Sequence, residues 1–101
     1  QDIDHIAMDS SALLRKGGGH YVFEMVVKNT ANLPLATPAL ELTLTGQNDQ
    51  VLSRKVFMPT EWPQPRTSVA PQSDWTVRLE LAYAGADVAA VQGYHAVLFY
   101  P

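Results

Sequence analysis

Hydrophobic and polar residues alternate with a period of two along much of the chain, which is the pattern of β-strands that bury one face. The alternation is clear over residues 20–28, 40–45 and 75–81. Three half-buried strands are therefore predicted, and their apolar positions, together with one residue near the C-terminus, give the expected core. These core residues are Phe23, Met25, Leu40, Leu42, Leu44, Trp75, Val77, Leu79 and Leu98.

Three further segments predict strands with a less regular pattern. Residues 51–58 carry apolar side chains on both faces, which predicts either a β-bulge or burial on both sides. Residues 94–100 are apolar on both faces apart from His95, which predicts a strand at the centre of its sheet. The looser run over residues 3–14 is either a broken strand or an edge strand.

Turn-forming residues separate these strands and complete the prediction of the fold. Residues 46–50 predict a hairpin turn, and residues 59–71, with four prolines, predict an irregular loop. The alanine-rich residues 82–92 predict at most a short helical turn. Asn29 follows a strand, where its amide is expected to bond nearby backbone and hold the next loop. The whole pattern favours an antiparallel β-sandwich that occupies residues 1–101 as a single domain.

Composition restricts the function classes that this chain can serve. At 101 residues the chain is long enough for one core, and it has no cysteine for disulfides or thiolate metal ligands. The net charge of −3 has the wrong sign for attraction to a nucleic-acid backbone, so no nucleic-acid partner is expected. No apolar segment is long enough to cross a membrane, which predicts a soluble domain.

Residues with catalytic or metal-binding chemistry are present but show no functional spacing. His5, His20 and His95 lie far apart in the sequence, and none forms a His-x-His or His-x-x-x-His pair. No Gly-x-Ser-x-Gly elbow, paired general acid and base, or phosphate-binding glycine loop occurs. We therefore expect no catalytic residues, no metal site and no cofactor.

The loop that contains Trp62 is the place where a binding function would show. Trp62 precedes Pro63, and a rigid aromatic residue on a loop is a good contact for a partner protein, with Arg54 and Glu61 as further contact candidates. The alternative, which we favour, is that Trp62 folds back over one end of the sandwich with its indole N–H bonded to an acceptor.

Several strings of the sequence together resemble a family of bacterial domains of unknown function, DUF3426. They are Asn29 at a strand end, PALELTLT at residues 38–45, VLSRKVFMPTEW at residues 51–62 and GYHAVLFYP at residues 93–101. The resemblance covers roughly residues 23–101, and Trp62 stands where such domains often have tyrosine.

The resemblance implies a cellular setting but no activity. Such domains commonly form the C-terminal part of proteobacterial membrane proteins, after a transmembrane helix and, in many, a zinc ribbon. It implies an immunoglobulin-like β-sandwich of about seven strands on the periplasmic face of the inner membrane, with the anchor of the parent protein before Gln1. It offers no catalytic residue to transfer to this chain.

The resulting hypothesis is a non-enzymatic interaction or structural module that binds a protein of the cell envelope. The alternative is a β-sandwich that binds a small ligand or a metal ion through its histidines and exposed aromatic residues.

Overall fold

The computed structural model describes residues 5–83 and 91–101, and these residues are mostly β-strand. The strands are β1 (Ile6–Gly17), β2 (His20–Asn29), β3 (Leu35–Ala36), β4 (Ala39–Thr45), β5 (Val51–Phe57), β6 (Ser68–Val69), β7 (Ser73–Ala82) and β8 (Gly93–Phe99). Two short 3₁₀ turns lie at Gln47–Asp49 and Pro59–Glu61. Most of the helical turn predicted over residues 82–92 falls outside the described residues.

The strands form three antiparallel sheets, which confirms the all-β prediction. The two larger sheets have the strand orders β1-β2-β7 and β5-β4-β8, and the third sheet is the small pair β3-β6. Strands β2 and β7 pair without interruption from His20 opposite Ala82 to Asn29 opposite Ser73. The chain therefore returns to β2 only after β4 and β5 of the other sheet, and β8 completes that sheet after β7.

One hydrophobic cluster joins side chains from the two three-stranded sheets with residues from the small sheet and from the loop after β5. Eight of the nine predicted core residues are buried, and Leu98 is half-buried against the cluster. The alternation in β2, β4 and β7 explains this agreement, since each of these strands turns its apolar phase inward. The buried members of the cluster are Ile6, Phe23, Met25, Val27, Leu35, Leu40, Leu42, Phe57, Trp62, Val69, Trp75, Val77 and Leu79.

The position of β8 differs from the prediction. It lies at an edge of its sheet, and β4 takes the centre between β5 and β8. The prediction was wrong because an apolar run does not reveal which face is covered. Val97, on the outer face of β8, is 53% exposed, whereas Ala96 and Leu98 face the core.

The ambiguous pattern of β5 comes from a β-bulge, one of the two predicted explanations. Leu44 pairs with Ser53 and Thr45 pairs with Val51, so Leu52 is an extra residue between two pairs. The extra residue reverses which side of the sheet the following side chains face. Phe57 therefore lies inward, opposite Leu40, and is buried at the end of the strand.

Strand β1 is a single long edge strand, which agrees with one of the two predictions for the N-terminal run. Its register against β2 shifts between Met8 and Ser10 and again between Arg15 and Gly17. Each shift interrupts the alternation, which is why the sequence pattern is loose in this segment.

Asn29 holds the loop that follows β2, as the sequence predicts, and it also bonds the segment at the end of β6. Its side-chain Nδ2 donates to the carbonyl oxygens of Leu33 at 3.0 Å, Val69 at 3.1 Å and Ala70 at 3.2 Å. Its Oδ1 accepts a 2.8 Å hydrogen bond from the backbone N–H of Ala31. The residue is 1% exposed, so this amide satisfies backbone groups that water reaches poorly.

Candidate interaction face

Trp62 belongs to the core. Its side chain is 1% exposed, and its Nε1 donates a 3.2 Å hydrogen bond to the carbonyl oxygen of Phe57. Its ring lies against that of Trp75, with centroids 5.2 Å apart. The proposal of Trp62 as a contact for a partner is therefore corrected, because a buried indole presents no surface, and the favoured packing hypothesis is confirmed.

A short 3₁₀ turn directly precedes Trp62. The carboxylate of Glu61 accepts a 2.8 Å hydrogen bond from the backbone N–H of Met58, which closes the 3₁₀ turn Pro59–Glu61. The guanidinium of Arg66 also packs over the tryptophan pair, 4.4 Å from the ring centre of Trp75. Glu61, the second contact candidate, is exposed but serves this local turn.

Arg54, the third contact candidate, lies on an open strand surface. Its side chain is exposed on the outer face of β5, where its Nε lies 3.4 Å from Oγ1 of Thr43 and 3.9 Å from a carboxylate oxygen of Glu41. Thr43 is covered by its cross-strand neighbours Arg54 and His95, to which it is directly paired. Of the three candidates, Arg54 is the one that joins a larger surface.

This surface is the outer face of the β5-β4-β8 sheet, and it contains two exposed valines. Val56 on β5 and Val97 on β8 are both paired with Glu41 on β4, so the three side chains form a row across the sheet. Val56 is 39% exposed and Val97 is 53% exposed. We call the surface formed by Glu41, Arg54, Val56, His95 and Val97 the valine face.

The outer face of the β1-β2-β7 sheet is different in character. Glu24 on β2 and Arg78 on β7 are directly paired and form an ion pair there. Thr76 and Glu80 of β7 are exposed on the same side. Leu14 of β1, which is 38% exposed, lies on the same side, so this face combines one exposed leucine with charged and hydroxyl groups, whereas the valine face has two exposed valines in one row.

The histidines occupy separate strands or strand ends. His5 precedes β1 and lies 3.4 Å from the hydroxyl of Thr30, and His20 begins β2. His95 lies in β8, 3.6 Å from a carboxylate oxygen of Asp49. Within residues 5–83 and 91–101, no three histidine, aspartate or glutamate side chains are grouped as metal ligands.

A small cleft opens between the two larger sheets beside β5 and β7. It is lined by Leu42, Leu44, Ser53, Lys55 and Glu80, among others, and its volume is about 100 Å³. Sites for drug-sized ligands are commonly about 300–1,000 Å³. The cleft is thus small for such a ligand, and its lining includes one basic and one acidic residue, Lys55 and Glu80.

The outward orientation of Val56 and Val97 could not be predicted from the sequence, for two reasons. Val56 lies beyond the bulge in β5, so its face could not be assigned by counting residues from the start of the strand. Val97 lies in the run that was assigned to a central strand, where every apolar side chain would be covered. The alternation of His95, Val97 and Phe99 was the available signal for an outer face.

Comparisons with known proteins give a family but no relative of known activity. A family model described as "Protein of unknown function (DUF3426)" matches residues 3–95. The match includes β1, so it begins closer to the N-terminus than the strings that carry the resemblance. No match was found among curated proteins or among solved structures. In the part of the chain that the structure describes, no helix is long and apolar enough to span a membrane.

Proposed function

Because the chain belongs to the DUF3426 family, we propose that it is a non-enzymatic interaction or structural module of a membrane-anchored bacterial protein. It works on the periplasmic face of the inner membrane, where the valine face binds another protein of the envelope. The observation that carries this proposal is the row in which Val56 and Val97 are exposed on either side of Glu41.

The composition of the valine face supports a protein partner. Protein interfaces combine an apolar centre with a polar rim, and arginine is enriched in them. Here the two valines are apolar and exposed, while Arg54 and Glu41 supply groups for directional hydrogen bonds. A single exposed apolar residue needs no explanation, but two on one row of a sheet make a patch.

The architecture in this proposal is an immunoglobulin-like sandwich. In such a sandwich, strands A, B and E share one sheet and strands C and F share the other. The orders β1-β2-β7 and β5-β4-β8 fit that assignment, with β5 as an additional strand beside C. The shared hydrophobic cluster of the two sheets supports the same assignment.

The cellular setting in the proposal comes from what the family resemblance implies for parent proteins of this kind. A reporter enzyme that is active only outside the cytoplasm, fused after Pro101 of the full parent protein, tests it. Activity of the reporter is expected, and an inactive reporter on a stably expressed fusion would contradict the periplasmic assignment.

A capture experiment tests the valine face itself. The purified domain is used as bait in a detergent extract of the source bacterium's envelope, in three forms: wild type, Val56→Lys and Thr76→Lys. Both positions are exposed and lie on outer sheet faces, so Thr76→Lys controls for added charge on the opposite sheet.

We expect the wild type and Thr76→Lys to enrich the same envelope protein and Val56→Lys to lose it. Equal recovery with all three baits would remove the valine face as the binding surface. Failure of the wild type to enrich any envelope protein would contradict the interaction function.

A further inference from the structure

The two larger sheets end in four edge strands, and the sequence does not treat these edges alike. In the described part of the chain, the edges are β1 and β7 in one sheet and β5 and β8 in the other. An edge strand exposes unpaired backbone groups that can pair with another chain, so proteins usually protect edges with charges, prolines or bulges.

Three of the four edges carry such protection. Strand β1 has two register shifts and the charged residues Asp9, Arg15 and Lys16. Strand β5 has its bulge at Leu52 and the adjacent basic residues Arg54 and Lys55. Strand β7 carries charges at three positions, namely Asp74, Arg78 and Glu80.

Strand β8 has none of these features. Its sequence GYHAVLF contains no aspartate, glutamate, lysine, arginine or proline. It pairs with β4 over seven consecutive residues, from Gly93 opposite Thr45 to Phe99 opposite Ala39, without a register shift. It is thus regular and free of aspartate, glutamate, lysine and arginine, and no strand among residues 5–83 and 91–101 pairs with it on the side away from β4.

The inner side of the β8 edge is also incompletely covered. Ala96 and Leu98 face the core but are only half-buried. The strand that faces this region from the other sheet is β1, since Ser11 Oγ lies 2.7 Å from the hydroxyl of Tyr94. A further strand beside β8 would bury more of both side chains.

We propose that the open edge of β8 pairs with β8 of a second copy of this chain, in antiparallel orientation about a two-fold axis. The pairing centres on Val97, which lies opposite Val97 of the second copy. Ala96 then opposes Leu98, and His95 opposes Phe99. The result is a continuous sheet in the order β5-β4-β8-β8-β4-β5. This inference goes beyond the proposed function, because it concerns the edge of the sheet and not its outer face.

The absence of charge on β8 favours a second copy as the occupant. A two-fold axis places each residue opposite a residue of the same strand, so a charged strand would often bring like charges together, which is destabilising. In this register no position of β8 meets a like charge, and the apolar inner positions Ala96 and Leu98 meet each other. Tyr94 meets Tyr100, and aromatic pairs across strands are favourable.

The test measures self-association of the chain and of two matched lysine variants. Sedimentation equilibrium is run on the wild type, Val97→Lys and Val56→Lys from about 10 µM to 1 mM. This range is high because an interface made by a single pair of strands is small, and small interfaces are expected to be weak. Both valines are exposed and both are paired with Glu41, so the variants differ mainly in which edge receives the charge. Equal denaturation midpoints establish that both variants fold.

We expect the wild type to dimerise, Val97→Lys to weaken the dimer about tenfold or more, and Val56→Lys to change it less than about twofold, because only the first places two lysines opposite each other. A wild type that remains monomeric throughout this range would overturn the proposal. Equal weakening by the two variants would indicate association through the valine face and would also overturn it.

A cysteine crosslink provides a second readout that does not depend on affinity. The chain contains no cysteine, so Val97→Cys and Val56→Cys each carry one thiol. Paired residues across antiparallel strands have Cβ atoms about 4.5–5.5 Å apart, close enough for a disulfide after small adjustments. Faster oxidation of Val97→Cys to a covalent dimer supports the pairing, and equal rates for the two variants contradict it.

The two proposals fail in different ways. Capture of an envelope protein by a monomeric domain would leave the proposed function intact and overturn β8 pairing. A dimer that depends on Val97 but captures no envelope protein would support β8 pairing and contradict the proposed function.

Discussion

The indole rings of Trp62 and Trp75 are tilted by 38° with their centroids 5.2 Å apart, so one aromatic pair joins the proline-rich loop after β5 to the inner face of strand β7. Trp62 brings the loop to the core and Trp75 belongs to the inner face of β7. Tilted aromatic pairs at this separation add to the free energy gained by burial alone.

Replacement of Trp62 by alanine should destabilise the domain by about 3–5 kcal/mol, through the lost burial and the cavity that remains. The measurement is the free energy of unfolding from urea titration. Trp62→Phe is the matched variant, since it keeps an aromatic ring and loses the donor to the Phe57 carbonyl oxygen. A change of less than about 0.5 kcal/mol for Trp62→Ala, typical of surface positions, would contradict the packing found here.

The fluorescence of Trp62 should resist quenching in solution. In a Trp75→Phe background, Trp62 is the one remaining tryptophan, because the chain has two. Its 1% exposure predicts weak quenching by acrylamide in the folded state and strong quenching in urea. Strong quenching of a variant that is still folded would place the indole outside the core.

Replacement of Asn29 should be costly because one amide serves two loops. Asn29→Ala leaves the carbonyls of Leu33, Val69 and Ala70 and the N–H of Ala31 without this partner, which should cost about 1–3 kcal/mol. The denaturation midpoint in urea is the measurement.

A second variant at this position separates the two sides of the amide. Asn29→Asp keeps an acceptor for Ala31 but turns a carboxylate toward three carbonyl oxygens, so we expect it to be less stable than Asn29→Ala. Equal stability of Asn29→Asp and wild type would show that the donors contribute nothing.

Leu42 tests the register of the central strand β4. It is 3% exposed and faces the core, so Leu42→Ala should cost about 2–5 kcal/mol. Leu33→Ala is the control, since Leu33 is 57% exposed and should change the free energy of unfolding by less than about 0.5 kcal/mol. A small effect at Leu42 would mean that the strand has the opposite face inward.

The sequence was sufficient where one face of a strand is buried and the alternation is uninterrupted. Met25 in β2 and Val77 in β7 lie opposite each other in the register and were both predicted as core residues. Asn29 could also be predicted, because an asparagine at a strand end has few roles other than bonding to backbone.

The sequence was insufficient where the position of a strand, or the face that it exposes, depends on which strand lies next to which. The uncharged run of β8 fits a central strand and an unprotected edge equally well, and only the sheet order distinguishes them. The bulge at Leu52 likewise hides the face of Val56. The exposure of Val56 and Val97 therefore became known from the structure, whereas Arg54 of the same face was already a candidate from the sequence.

The sheet order also determines when this domain can finish folding. The central strand β4 pairs with β5 through a short hairpin, but its other neighbour is β8, where Ala39 meets Phe99, a residue far along the sequence. Such distant pairings are slow to form, because the intervening segment must first be closed into a loop. During synthesis, β4 keeps one side unpaired until β8 has emerged. A domain in which β8 has not yet paired presents β4 as an open edge, exposed to aggregation or to chaperones that recognise exposed strands.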